Sequence, residues 1–159
     1  MALSSNLEQL SYKSPDGCVA KGLHQDVIAA GATKTLTAED SGSLVLLDTA
    51  AGSVITLPTP AEGIHFDFAV SVSVTSNSHI IGGAAGEFLM GGIQMMIDTT
   101  AVSEGQFLDG ATHLTLTHNG STTGGLIGTN YRFVGVSATQ WMVTGLCAGS
   151  GTLATPATT

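Results

Sequence analysis

Between residues 65 and 75 the chain alternates without a break. Phe66, Phe68, Val70, Val72 and Val74 fall on one side, and His65, Asp67, Ala69, Ser71, Ser73 and Thr75 on the other. Side chains of a strand point alternately to opposite faces, so a period of two over this length predicts a half-buried strand. Residues 34–37 alternate in the same way. Residues 43–48 are apolar on both faces, as in a central strand. Residues 54–57 resume after the turn at 48–53 and stop at Pro58 and Pro60. Further strands are expected at 79–81, 88–97, 106–108, 113–118, 131–136 and 141–146. Asn119-Gly120, followed by Ser-Thr-Thr-Gly-Gly, reads as a hairpin loop. No helix of three turns fits the body. Many short strands with turn residues between them predict an all-β fold, an antiparallel β-sandwich or barrel.

The composition supports this. Only 10% of the 159 residues are charged, whereas Gly (21), Thr (21) and Ser (15) make up over a third. The solvated surface must therefore be mainly hydroxyl and glycine, which argues against long charged helices and coiled coils. Mean hydropathy is +0.33, which argues against general disorder. Three segments follow: an N-terminal arm over residues 1–25, a β-rich body over 26–148 and a flexible, low-complexity tail over 149–159. In the arm, Leu3, Leu7 and Leu10 recur at helical spacing, with Tyr12 just beyond. This narrow stripe can dock on its own body or on a neighbouring chain. The neighbour is the favoured reading, which makes Leu3, Leu7, Leu10 and Tyr12 candidate partner-binding residues.

The formal charge of −8 and the scarcity of basic side chains (Arg132 alone after Lys34) exclude phosphate-backbone recognition and a polybasic membrane patch. No apolar run approaches the roughly 20 residues of a membrane-spanning helix. The first residues lack the basic and apolar regions of a signal peptide, so a cytoplasmic origin is expected. Two distant cysteines, Cys18 and Cys147, make no disulfide framework. Cys147 could be a nucleophile. The better reading is a small buried hydrophobe on one strand face with Trp141, Val143 and Gly145.

Other chemistry is sparse. His113 and His118 are an odd number apart, so on a strand they cannot chelate one metal. His65 and Asp67 share a face and could hold a cation, as could His24 and Asp26, but a solvated polar face accounts for both. The carboxylates (Glu39 and Asp40, then Glu87, Asp98, Glu104 and Asp109) are scattered and suggest no paired acid site. The glycine-rich stretches 82–86, 91–92 and 124–125 open no P-loop or dinucleotide fingerprint and read as turns and bulges. Met90, Met95 and Met96 read as soft core packing, and Trp141 as a core or subunit-contact residue. No catalytic, cofactor-binding or metal-binding residues are expected.

One set of strings is more specific. It comprises Leu36-Thr-Ala-Glu-Asp-Ser-Gly42, Leu44-Val-Leu-Leu-Asp48, Gly52-Ser-Val-Ile-Thr-Leu-Pro58 and Gly63-Ile-His-Phe-Asp-Phe68. These, with Tyr131-Arg-Phe-Val-Gly-Val136 and Trp141-Met-Val-Thr-Gly145, resemble the β-rich head-decoration, or capsid cement, proteins of tailed phages. The resemblance covers residues 34–74 and 131–148. It implies a non-enzymatic virion protein on the capsid exterior, assembled in the host cytoplasm. Its implied partners are the major capsid protein and its own copies, a homotrimer being the favoured assembly and a dimer or a lattice-bound monomer fitting the sequence equally well. Tail-fibre or spike modules that bind a host receptor carry similar strings and are the alternative. A virion polysaccharide hydrolase is a third reading, disfavoured by the lack of an acid pair.

Overall fold

The computed structural model describes residues 25–97 and 103–159. The leucine stripe and Tyr12 of the arm lie outside the described residues. Twelve strands among the described residues form two sheets. The larger one has the order β1 (Val27–Ala29), β3 (Leu44–Leu47), β5 (His65–Val70), β10 (Asn130–Gly135), β11 (Gln140–Gly149), β7 (Phe88–Ile97) and β8 (Ser103–Asp109). The smaller one has the order β12 (Ala157–Thr158), β9 (Thr115–His118), β6 (His79–Gly82), β4 (Val54–Thr56) and β2 (Thr33–Thr35). The two pack face to face around one core, so the fold is an all-β sandwich.

The expectation of antiparallel pairing is corrected by the topology. From β1 to β6 the chain passes alternately from one sheet to the other. Successive strands within a sheet therefore run the same way, and β1–β3–β5 and β2–β4–β6 are parallel. β7 and β11 are parallel too. Antiparallel pairing joins β5, β10 and β11, β7 to β8, and β6 through β9 to β12. Alternation of side chains is identical in both kinds of strand, so the pattern that locates strands is silent on direction.

Three local readings also change. The alternating run at 65–75 is a strand only to Val70. Beyond it the chain turns, leaving Val72 exposed while Val74 stays buried. β3 is not apolar on both faces for want of solvent: Val45 and Leu47 are buried, and Leu44 and Leu46 stand half-exposed on the outer face. Residues 119–125 do not form a hairpin between neighbouring strands, because β9 and β10 lie in different sheets. The Asn119 side-chain oxygen accepts the Ser121 and Thr123 amides instead, tightening the crossing turn.

The core is aromatic at its centre. Phe66 of β5, Phe133 of β10 and Trp141 of β11 are fully buried, with ring centroids 5.9 Å apart for Phe66–Trp141 and 6.5 Å for Phe133–Trp141. Phe68 meets Phe133 edge-on at 5.1 Å. Their packing needs thin neighbours. Gly145 lies opposite Tyr131, and a Cβ there would collide with the Asn130 carbonyl and the Tyr131 ring. Gly91 has φ +121° inside β7, where a Cβ would strike the Val143 carbonyl.

The C-terminal segment, expected to be a flexible tail, is docked. β12 pairs with β9, and Leu114 and Thr117 donate to the Thr158 and Pro156 carbonyls at 2.9 and 2.7 Å. Ala157 is buried and Leu153 packs against the core. Without β12, β9 would be an open edge, which is what the short strand covers. Deleting residues 154–159 is expected to cost about 2 kcal/mol, from a few hydrogen bonds and a little apolar area, and to lower Tm by roughly 4–8 °C. Calorimetry checks this; an unchanged Tm would mean the segment is a free tail after all.

Candidate interaction surfaces and a buried polar cluster

The two outer faces differ in chemistry. On the smaller sheet, one cross-strand row runs Thr35, Thr56, Gly82, Thr115 and Thr158. The hydroxyls of Thr115 and Thr158 bond each other. This face is hydroxyl-rich and carries almost no charge.

The larger sheet carries several large apolar side chains on its outer face, among polar and charged ones. One row crosses all seven strands as Val27, Leu44, Asp67, Arg132, Thr144, Gly92 and Phe107. Phe107 is 78% exposed and Val27 60% exposed. In the next row Met142 is exposed beside half-buried Met90 and Val134, and Met96 is exposed further along β7. Near the centre Arg132 Nη1 pairs with Asp67 Oδ1 at 3.7 Å, and Asp67 also accepts from Gln25 Nε2 at 2.8 Å. An exposed pair of this kind is worth little, about 0–1 kcal/mol. Val27 and Phe107 stand at opposite edges of the sheet, whereas Met142, Met90 and Val134 adjoin; adjoining large apolar groups mark an interaction surface, and scattered ones do not.

Asp67 is engaged by Arg132 and Gln25, and His65 Nδ1 lies 3.0 Å from the Gly63 carbonyl, so this pair has other partners than a cation. His113 and His118 are separated: His113 faces Asp109 at 3.5 Å near the end of β8, whereas His118 is fully buried. Asp109 accepts from the Thr112 hydroxyl and from the amides of Ala111 and Thr112. These bonds, the Thr112 hydroxyl foremost, pull its pKa down to about 2. Of the methionines, Met95 is core as expected, but Met96 is exposed. Trp141 is core. Among the described residues, no group of three His, Cys, Asp or Glu side chains could hold a metal ion, and no helix is long and apolar enough to cross a membrane.

One cluster has no counterpart in the sequence reading. His79 and His118 face each other in the β6–β9 register, and both are fully buried. His118 stacks on Tyr131 with centroids 5.3 Å apart. Its Nδ1 lies 2.8 Å from the Thr123 carbonyl, and His79 Nε2 lies 3.3 Å from that of Val72. Each ring therefore donates one N–H to a carbonyl, which fixes its neutral tautomer. The remaining nitrogens, His118 Nε2 and His79 Nδ1, have no partner. A proton added there would be a buried charge, so desolvation pulls His118 down to about 4 and lowers His79 as well. Cys147 lies alongside, with Sγ 3.6 Å from the Thr123 carbonyl. Burial raises its thiol pKa, the opposite of an activated thiolate. The odd separation of His113 and His118 is visible in the sequence, but the pairing of His118 with His79, across 39 residues, depends on sheet register and is not.

No protein-family model, curated protein or solved structure matches the chain.

Proposed function

We propose that this protein is a phage capsid decoration protein, which binds the outer surface of the expanded head and stabilises it without catalysis. The observation that carries this reading is spatial. The two stretches that resemble decoration proteins, residues 34–74 and 131–148, are far apart in sequence. They meet along the β5–β10 pairing and share the Phe66, Phe68, Phe133 and Trp141 core, so they belong to one structural unit. The large outer sheet face, with exposed apolar groups and the Arg132–Asp67 ion pair near its centre, suits contact with another protein. A ligand that binds the assembled shell and not its loose subunits stabilises the shell by linkage. Repetition over a symmetric lattice adds avidity if a copy reaches more than one site.

The test is co-sedimentation with expanded shells of the parent phage stripped of this protein. The expected result is saturable binding to shells and none to free capsid subunits. Binding to isolated tails instead would favour the fibre or spike reading and overturn this one.

A further inference from the structure

The free edges of the two sheets are unequal. β1 and β2 are three residues long and β12 is two, whereas β8 has seven. β8 pairs with β7 along its whole length, and its other side carries no strand among the described residues. Proteins blunt such edges with charges (Lys above all), Pro or a bulge. β8 reads Ser-Glu-Gly-Gln-Phe-Leu-Asp, with neither Lys nor Pro and with its charges confined to Glu104 and Asp109 near its two ends, and its register with β7 is unbroken. It also displays Phe107, the most exposed large apolar side chain of the described residues.

We propose that β8 pairs antiparallel with β8 of a second copy of this chain, about a two-fold axis at Gln106. This joins two seven-stranded sheets into one. Three features select that register. First, Gly110 N–H donates to the Leu89 carbonyl, continuing the ladder in which residues 104, 106 and 108 turn their backbone groups toward β7. Residues 103, 105, 107 and 109 then point theirs outward, and a register centred on Gln106 matches odd residues with odd over the full strand. Second, Phe107 falls opposite Gly105 of the second copy, while its neighbour within the chain is Gly92. The ring lies between two glycines, an aromatic covering bare backbone on both sides. Third, Glu104 falls opposite Leu108 and Asp109 opposite Ser103, so no like charges meet. Every contact except the Gln106 pair on the axis occurs twice, as an isologous interface requires. The assembly is a dimer rather than the homotrimer favoured from the sequence, and it does not depend on the decoration reading.

Light scattering on the full chain at micromolar concentration tests this. The expected mass is twice the 16.0 kDa of one chain. Phe107→Lys, at an exposed position, is expected to halve that mass while leaving the β-sheet circular dichroism unchanged. Gln106→Cys, in a Cys18→Ser background, is expected to form a disulfide-linked dimer on mild oxidation. The two Gln106 positions are a non-hydrogen-bonded pair with Cα atoms about 4.5 Å apart, within disulfide range. A wild-type mass of one or three chains would overturn the proposal. So would a dimer indifferent to Phe107→Lys, or Gln106→Cys chains that stay unlinked. A monomer that dimerises only after deletion of residues 1–24 would overturn it in favour of the chain's own N-terminal segment as the edge's occupant.

Discussion

Trp141→Ala is expected to cost about 3–5 kcal/mol and to lower Tm by about 10 °C or more. Trp141 is fully buried, lies between Gly135 and Leu89 in the cross-strand rows, and touches the Phe66 and Phe133 rings. Truncation leaves a cavity that the flanking glycine cannot fill, and stiff sheet backbones on both sides limit collapse. Loss of stability on this scale is a large share of the roughly 5–15 kcal/mol that holds a domain together. Trp141→Phe should cost less, because the indole Nε1 has no hydrogen-bond partner and its removal relieves a buried unpaired donor. Urea unfolding of both variants checks the order. Equal losses, or a small loss for alanine, would show that Trp141 does not organise the core.

Acid is the second large perturbation. His118 titrates at about 4 in the folded protein and near its ordinary 6.5 when unfolded, so between these values the unfolded chain binds more protons. Stability must then rise with pH through this window and fall on acidification. The loss is about 2 kcal/mol at pH 5 relative to neutral pH and reaches roughly 3 kcal/mol below pH 4. His79, lowered by the same burial, adds in the same direction. Asp109 does not confuse the window. Its depressed pKa contributes stability that is lost only as pH falls below 3.8 toward 2. Tm measured from pH 7 to 5 should fall steadily, and His118→Phe, which keeps an aromatic ring against Tyr131, should flatten the curve. A wild-type Tm constant over this range would contradict the neutral, buried assignment.

What the sequence reveals here follows from physical range. Strand existence is local, so β7 at Phe88–Ile97 and the inward face of Trp141, Val143, Gly145 and Cys147 are legible in the chain itself. Strand direction and partner are not local. Six short strands that shuttle between sheets produce the same alternation as a meander, so the parallel half of the fold leaves no trace in periodicity. Phe107 lies within an expected strand, and the inward Leu108 already implies an outward ring. Its place on an open edge, however, needs the strand order. The docking of β12 is likewise invisible: Thr-Pro-Ala-Thr-Thr is low in complexity, and only the open edge of β9 gives it a role.

The decoration reading is tested most directly by electron microscopy of stripped, expanded shells to which the purified protein has been added back. The account predicts added density at regular, symmetry-related positions on the outer surface, saturating with protein concentration, into which the two-sheet body fits. Bare shells at saturating protein, or density confined to the tail, would contradict it.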